Sequence, residues 1–220
     1  MLTFTFLNKF SIMVDVINSG GFLFIISAPS GTGKTTICRY LLGKYNNLAI
    51  SISSTTRKPR KREIDGMDYF FIDKKKFEEK IKNNEFLEYA KVFENYYGTS
   101  REFVNSQLHA NKNVLFDIDW QGMRNIKQQK IYNITTLFLI PPSIDILRKR
   151  LQGRGDSEEQ VERRIAGFKN DAEKANEYDY VIVNDDLNKA CFDVENVYNS
   201  SILKFNKKKC VEFINKDLIF

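Results

Sequence analysis

The sequence predicts an α/β fold: a P-loop type core in which helices cover both faces of a parallel sheet. Three short apolar runs, rich in β-branched and aromatic residues, indicate buried strands that start at Phe22, Asn113 and Thr135. A shorter run of the same kind starts at Tyr180. Helical patterns separate the runs, and this alternation is typical of parallel sheets with helices on both faces.

The size and charge of the chain limit its architecture and its partners. A chain of 220 residues can form one substantial core with small inserted lobes. Its net charge of +6 favours anionic partners without choosing among nucleotides, nucleic acids and membranes. The lysine runs at residues 74–76 and 207–209 are not interleaved with aromatic residues, so we interpret them as solvated faces and expect no nucleic-acid partner.

Cysteine usage and hydropathy indicate the compartment. Cys38, Cys191 and Cys210 are an odd number without C-x-x-C spacing, which argues against a disulfide framework or a zinc site. No apolar run reaches the roughly 18 residues that a membrane span needs, and no charged segment precedes an apolar run at the N-terminus. We therefore expect a cytoplasmic protein without a membrane partner, and interpret residues 1–20 as an extension outside the fold, with Met13 an alternative start.

Two consecutive helices are well marked near residue 150. Ser143 can cap the first, Asp145 suits its positive end, and Gly153 can end it. We expect the next helix to open at Asp156, with Glu159 three residues further on completing a capping box.

The character of the chain changes between Ser51 and Gly98. Turn signals at Lys58-Pro59 and Asp65-Gly66 separate short extended runs, and residues 74–90 have helical spacing. We interpret this segment as a small inserted mixed α/β lobe. The predicted organisation is an extension at 1–20, one domain at 21–205 and a tail at 206–220; within the domain, the core is 21–52, 101–149 and 172–205, the lobe 53–100 and a helical lid 150–171.

The segment "SAPSGTGKTT", residues 27–36, lies between a predicted strand and a predicted helix, as phosphate-binding loops do. Gly31 and Gly33 allow the backbone to approach a phosphate, Lys34 can reach the β- and γ-phosphates, and the Thr35 hydroxyl can bind Mg²⁺. The first glycine of the usual pattern is replaced by Ala28, the smallest alternative. A loop of this kind predicts that a nucleoside triphosphate binds, but not which reaction follows.

A second anion site is indicated by "SISSTTRKPR", in which Arg57 and Arg60 lie three residues apart among hydroxyl groups. Guanidinium groups match phosphate oxygens bidentately, although most arginines are simply solvent-facing. Further along, Glu88 and Tyr97 lie in "EFLEYAKVFENYYGTS", and "LFDIDWQG" ends a buried strand with two aspartates. These residues alone leave open whether Glu88 is an exposed helix carboxylate.

Six segments taken in order resemble the guanylate kinase family: "SAPSGTGKTT", "SISSTTRKPR", "DGMDYFF", "NNEFLEYAKVFENYYGTS", "LFDIDWQG" and "VIVNDDL". The resemblance runs from about Gly21 to about Leu203. It is specific, because unrelated P-loop proteins share only the first segment, and the family accepts alanine at the first loop position. It implies an ATP:GMP phosphotransferase that uses Mg²⁺, makes GDP and ADP, and accepts dGMP as well.

The resemblance also implies the site residues. The GMP site would comprise Ser53, Arg57, Arg60, Tyr69, Glu88, Tyr97, Thr99, Asp117 and Asp119. The arginines and tyrosines would hold its phosphate, and Ser53, Glu88 and Thr99 would read guanine. Guanine has an acceptor at O6 and donors at N1 and N2, which suit a hydroxyl and an ionised carboxylate. Adenine would leave the carboxylate without a donor at N1.

The ATP site implied by the resemblance comprises Ala28, Pro29, Ser30, Gly31, Thr32, Gly33, Lys34, Thr35, Arg150, Arg154 and Asn184. Thr35 would bind Mg²⁺, with Asp117 or Asp119 acting through water. The catalytic residues would be Lys34, Arg57, Arg154 and Arg164. The last two lie in an arginine-rich lid, where a solvated helix face with a Glu159–Arg163 pair is the alternative interpretation.

Three other functions remain as alternatives. Guanylate-kinase-like domains also serve as non-catalytic peptide-binding modules, but those have a degraded P-loop and this loop is intact. Another nucleoside monophosphate kinase would share the P-loop and differ in its acceptor. A nucleic-acid-binding role has only the net charge in its favour.

The single histidine, His109, is expected at the surface of a helix.

Overall fold

The computed structural model describes the backbone of residues 21–60, 63–92 and 94–217, and side chains up to residue 204. The predicted extension at 1–20 lies outside the described residues. In chain order the elements are β1 (Leu23–Ser27), α1 (Lys34–Lys44), β2 (Leu48–Ile50), β3 (Ser54–Thr55), β4 (Phe70–Phe71), α2 (Lys74–Lys82), β5 (Phe86–Val92), β6 (Asn95–Ser100), α3 (Arg101–His109), β7 (Asn113–Asp117), α4 (Trp120–Gln129), β8 (Ile134–Ile140), α5 (Ile144–Gln152), α6 (Glu158–Ala172), a 3-10 turn (Ala175–Glu177), β9 (Tyr180–Val183) and α7 (Leu187–Asp217).

The main sheet has five strands in the order β2-β7-β1-β8-β9, and every pair is parallel. The four predicted strands are present, which confirms the predicted fold class. The sequence analysis missed β2, a three-residue edge strand in which only Leu48 is buried. An edge strand this short carries too little hydrophobic pattern to be recognised.

Alternate residues of β1 face the two halves of the core. Phe24 and Ile26, together with Phe22 just before the strand, pack with α1 and α7 on one face. Leu23 and Ile25 pack with α3 and α4 on the other. Because β1 is buried on both faces, its carboxyl end is rigidly placed, and the predicted phosphate loop begins there.

A second sheet of four strands, in the order β4-β3-β6-β5, forms between residues 54 and 100. The prediction of helical structure across residues 74–90 is wrong beyond Lys82, where α2 ends. Asn84 takes a left-handed conformation with φ of 56°, which stops the helix. The following residues then form β5, which pairs antiparallel with β6 and buries Phe86 and Leu87.

The two helices of the arginine-rich segment pack on each other through Leu147, Leu151, Val161 and Ile165. Ser143 caps α5, and Gly153 follows its last residue, as predicted. The predicted capping box at Asp156 is wrong by one residue: Ser157 caps α6 and pairs with Gln160. Adjacent Asp and Ser are both good caps, so the sequence could not choose between them.

Helix α7 is held against α1 by a cluster around Glu195. The Glu195 carboxylate accepts hydrogen bonds from Lys44, Tyr40 and Tyr45, which lower its pKa to about 2. This cluster ties the helix that follows the phosphate loop to the C-terminal part of the domain. No helix in the described part of the chain is both long and apolar enough to cross a membrane.

Candidate active site

The loop after β1 turns its backbone towards an open cavity. Gly31 and Gly33 have φ of 93° and 91°, which other residues rarely adopt. Gly33 is the N-cap of α1 and makes no side-chain cap bond, so the first N–H groups of the helix are available to an anion. The loop therefore has the backbone geometry predicted from its glycines.

Asn184, which follows β9, supports this loop from behind. Its side-chain Nδ2 donates to the backbone carbonyl oxygen of Thr32 at 2.6 Å, and the backbone carbonyl oxygen of Asn184 accepts from Arg150 at 3.0 Å. A β-carbon on Gly33 would lie 2.6 Å from the same Nδ2. The Oδ1 atom of Asn184 is buried without a partner. Asn184 thus fixes the loop, and we find no cavity contact for it.

Lys34 begins α1 and forms an ion pair with Asp117 at the end of β7. Burial alone would lower the pKa of Lys34, but the Asp117 carboxylate outweighs burial and raises it. Lys34 is therefore fully protonated near neutral pH. Asp119, two residues after Asp117, caps α4 by accepting from Gly122 N–H at 3.0 Å.

Glu88, in β5, is the most deeply buried carboxylate that lines the cavity, with 4% of its surface exposed. Its Oε1 accepts from the Thr99 hydroxyl at 2.7 Å, and Ser53 Oγ lies 3.4 Å from the same hydroxyl. Burial raises the pKa of Glu88 to about 7, against the opposing effect of the Thr99 hydrogen bond. The alternative of an exposed helix carboxylate is excluded.

Arg57 lies at the edge of the small sheet, next to two aromatic rings. Its guanidinium group makes a bidentate ion pair with Glu63, at 2.8 and 2.9 Å, and lies 5.3 Å from the ring centre of Tyr69. The Glu63 hydrogen bonds are the main reason that the pKa of Arg57 is raised. The Arg60 side chain is exposed, and the Arg60 N–H donates to Glu63.

Two arginines of the lid segment reach the phosphate loop. Arg164 from α6 and Arg154 from the preceding turn both donate to Ser30 Oγ, Arg154 at 3.5 Å. Arg164 also pairs with Asp156 at 3.5 Å. Arg163 instead pairs with Glu159 on the outer face of α6. For Arg163, this matches the alternative interpretation of a solvated helix face.

A cavity of about 740 Å³ joins the loop to the small sheet. Most predicted site residues line it: Ala28, Pro29, Ser30, Gly31, Thr32, Gly33, Lys34, Thr35, Ser53, Tyr69, Glu88, Tyr97, Asp117, Asp119, Arg150 and Arg154. Arg57, Arg60, Thr99, Arg164 and Asn184 are outside its lining. His109 is exposed, as predicted, and lies by a different pocket.

Several residues of the site carried no recognisable sequence signal. Glu63 was missed because nothing in its local sequence links it to Arg57. Gly122 was missed because a glycine in a helix gives no indication of what it packs against. Ala90 and Val92 line the cavity through the inward face of β5, which the sequence analysis had assigned as helix up to residue 90.

These features define a class of protein. The main sheet has the strand order β2-β7-β1-β8-β9, with a phosphate loop after its central strand, and an inserted second sheet holds a buried polar pocket. With the arginines that reach the loop from the pair of helices α5 and α6, these features describe a nucleoside monophosphate kinase.

Comparison with known proteins identifies the family within this class. The family model for guanylate kinase matches residues 21–201. A guanylate kinase from Rickettsia felis is 50% identical over 172 residues, which are 78% of this chain and 89% of the relative. One from Wolbachia pipientis is 44% identical over 194 residues, 88% of this chain and 96% of the relative.

A solved structure gives the same result. The crystal structure of guanylate kinase from Anaplasma phagocytophilum superposes with a TM-score of 0.68 at 30% identity, covering 83% of this chain and 87% of that one. The chain belongs to the guanylate kinase family, whose reaction is the transfer of a phosphoryl group from ATP to GMP.

Proposed function

We propose that the cleft binds ATP with its phosphates on the loop after β1 and GMP over the small sheet, and that it transfers the γ-phosphoryl group between them. The single observation that carries this proposal is the position of Glu88, a buried carboxylate that faces the same cavity as the phosphate loop. A buried acceptor of this kind needs a ligand that supplies hydrogen-bond donors.

Guanine supplies those donors. The ionised carboxylate of Glu88 would accept from N1 and N2, and the hydroxyls of Ser53 and Thr99, which lie beside it, would complete the polar contacts to the base. From the resemblance to the guanylate kinase family, we also propose dGMP as a second acceptor.

The acceptor phosphate would lie by Tyr69 and Tyr97, with Arg57 beside them. The centres of the two tyrosine rings are 5.9 Å apart. Glu63 holds the Arg57 guanidinium group in a fixed orientation, which reduces the entropy lost when it binds a phosphate. Arg60 would add a second, more mobile cation.

The donor phosphates would lie along the loop. Lys34 carries a full positive charge next to the open N–H groups of α1, and Arg154 and Arg164 converge on the same loop from the lid. Four cationic or dipolar groups around one point stabilise charge that spreads over the transferring phosphoryl oxygens. No general base is needed, because a phosphate oxygen attacks without losing a proton.

The residues present fit a magnesium ion. Mg²⁺ in kinases is bound through one or two protein oxygens, waters and the substrate phosphates, and not by a cage of carboxylates. The Thr35 hydroxyl and the Asp117 carboxylate both line the cavity, and the described residues contain no larger cluster of metal-binding side chains. Thr35 would bind the ion directly and Asp117 through water, and the bound ion would neutralise charge on the phosphates.

The role of Glu88 is tested by Glu88→Ala, with Glu85→Ala as a matched control. Glu85 is three residues away in the same segment, exposed and paired with Lys80. In Glu88→Ala we expect KM for GMP to rise at least tenfold and KM for ATP to change less than about twofold. Glu85→Ala should leave both unchanged. Equal losses for GMP and ATP would contradict a role in reading guanine.

The buried cysteine thiols bear on the cellular compartment in which the protein works. Cys38 and Cys191 are free and buried, and burial raises the pKa of Cys38 to about 12 and also raises that of Cys191. Two unpaired thiols fit a reducing environment. We therefore propose that the protein works in the cytoplasm.

A further inference from the structure

Gly122 occupies a position where the backbone does not require a glycine. It is the third residue of α4 and is buried. It is not among the described glycines that have a positive φ. Within a helix, glycine is less favourable than alanine because it loses more backbone entropy on folding. The reason for a glycine here must therefore lie in what packs against it.

The Glu88 carboxylate lies where a side chain on Gly122 would begin. A β-carbon on Gly122 would lie 2.7 Å from Glu88 Oε2 and 3.1 Å from Ile118 Cδ1. Side-chain carbons do not approach a polar oxygen this closely, since the distance is well inside van der Waals contact. The first turn of α4 thus touches the group that we assign to guanine recognition.

Neither partner in this contact can move freely. The Gly122 N–H donates to Asp119 Oδ1 at 3.0 Å, which fixes the first turn of the helix. The other oxygen of Glu88 accepts from Thr99 at 2.7 Å, and Thr99 is fully buried. A methyl group at residue 122 would therefore have to displace the Glu88 carboxylate or break one of these two hydrogen bonds.

We propose that Gly122 is a positioning residue for guanine recognition: the missing side chain lets α4 pack directly on Glu88 and hold its carboxylate where the guanine edge binds. The inference rests on the proposed role of Glu88. Gly122 acts through Glu88 and need not touch either substrate.

Gly122→Ala tests the proposal, and Gly43→Ala is its matched control. Gly43 is also a helical glycine, in α1, but a β-carbon there would have no neighbour within 4 Å. In Gly122→Ala we expect KM for GMP to rise at least tenfold. KM for ATP, and turnover at saturating GMP, should change less than about threefold. Gly43→Ala should match the unsubstituted protein in all three.

A double-mutant cycle separates positioning from a general packing defect. In a Glu88→Ala background the carboxylate that reads guanine and meets the new methyl group is gone, so adding Gly122→Ala should change KM for GMP less than twofold. If the two losses instead multiply, Gly122 does not act through Glu88 and the proposal is wrong. A KM for GMP unchanged in Gly122→Ala would overturn it as well.

Failure of Gly122→Ala to fold would still be informative. If contact with the carboxylate is the cause, the double variant Glu88→Ala/Gly122→Ala should fold, because the clashing group is gone. If the double variant also fails to fold, the contact is not what requires a glycine. The Glu88→Gln variant alone keeps the two proposals apart: if it binds GMP normally, the role of Glu88 fails, whatever Gly122→Ala does.

Discussion

Lowering the pH from 8 to 6 should raise KM for GMP about tenfold, because GMP needs Glu88 in its ionised form. Burial raises the pKa of Glu88 to about 7. A carboxyl group with this pKa is about nine-tenths ionised at pH 8 and about one-tenth ionised at pH 6. The apparent affinity scales with the ionised fraction, so the ratio of the two gives the tenfold change.

The assay must separate Glu88 from the phosphate of GMP, which itself titrates near pH 6. Glu88→Gln keeps the shape of the side chain and cannot ionise, so the change in its KM between pH 8 and pH 6 measures the share of the phosphate alone. We expect the unsubstituted protein to show about tenfold more change than this variant. Equal pH dependence in both proteins would refute the reasoning.

The same pKa predicts an opposite effect on stability without substrate. Because the pKa of Glu88 is raised from 4.5 to about 7, the folded state favours the neutral carboxyl. The neutral carboxyl therefore stabilises the folded state by ~3 kcal/mol relative to the ionised form. This stabilisation is complete below pH 4.5 and is lost as the pH rises through 7. Urea unfolding at pH 5 and pH 8 should therefore show Glu88→Gln gaining stability relative to the unsubstituted protein at the higher pH.

Three further changes test the phosphate sites. Lys34→Ala should lower turnover at least a thousandfold with little change in thermal stability, measured by single-turnover transfer and thermal unfolding, and normal turnover would remove the loop from the mechanism. Arg57→Lys should raise KM for GMP about tenfold, because lysine cannot keep the bidentate pair with Glu63 or bind a phosphate in the same way. Gly33→Ala should abolish ATP binding in a calorimetric titration, since its β-carbon would meet Asn184 at 2.6 Å and its φ of 91° disfavours alanine; ATP affinity within threefold of normal would contradict this.

Much of the fold could be predicted because the three central strands of the main sheet, β7, β1 and β8, are buried on both faces. Runs such as that of β1, which is fully buried, carry a continuous apolar signal that survives without knowledge of their neighbours. The small sheet carried no such signal. Its strand β5 was assigned as helix because "FLEYA" fits both periods. Asn84, whose left-handed backbone ends α2, belongs to a residue type that favours helix ends, but this stop signal was not used.

The candidate site also has one part that the sequence predicts and another that only the tertiary structure shows. The loop could be predicted because glycine spacing and Lys34 form a local pattern with a direct physical meaning. The pairing of Arg57 with Glu63, and the contact of Gly122 with Glu88, could not be predicted. Both depend on distances set by tertiary packing, which no spacing along the chain records. Asn184 shows the limit most clearly, because its hydrogen bond to Thr32 joins residues 152 positions apart.

Transfer from ATP to a chosen acceptor is tested most directly by measuring ADP release with Mg²⁺, ATP and, in separate reactions, GMP, dGMP, AMP or CMP. We expect rapid release with GMP, measurable release with dGMP, and values of kcat/KM for AMP and CMP at least about a hundredfold lower, since neither base offers the donors that the buried carboxylate requires. Comparable rates with AMP, or ADP release that does not depend on GMP, would contradict the assignment of the pocket around Glu88 to guanine.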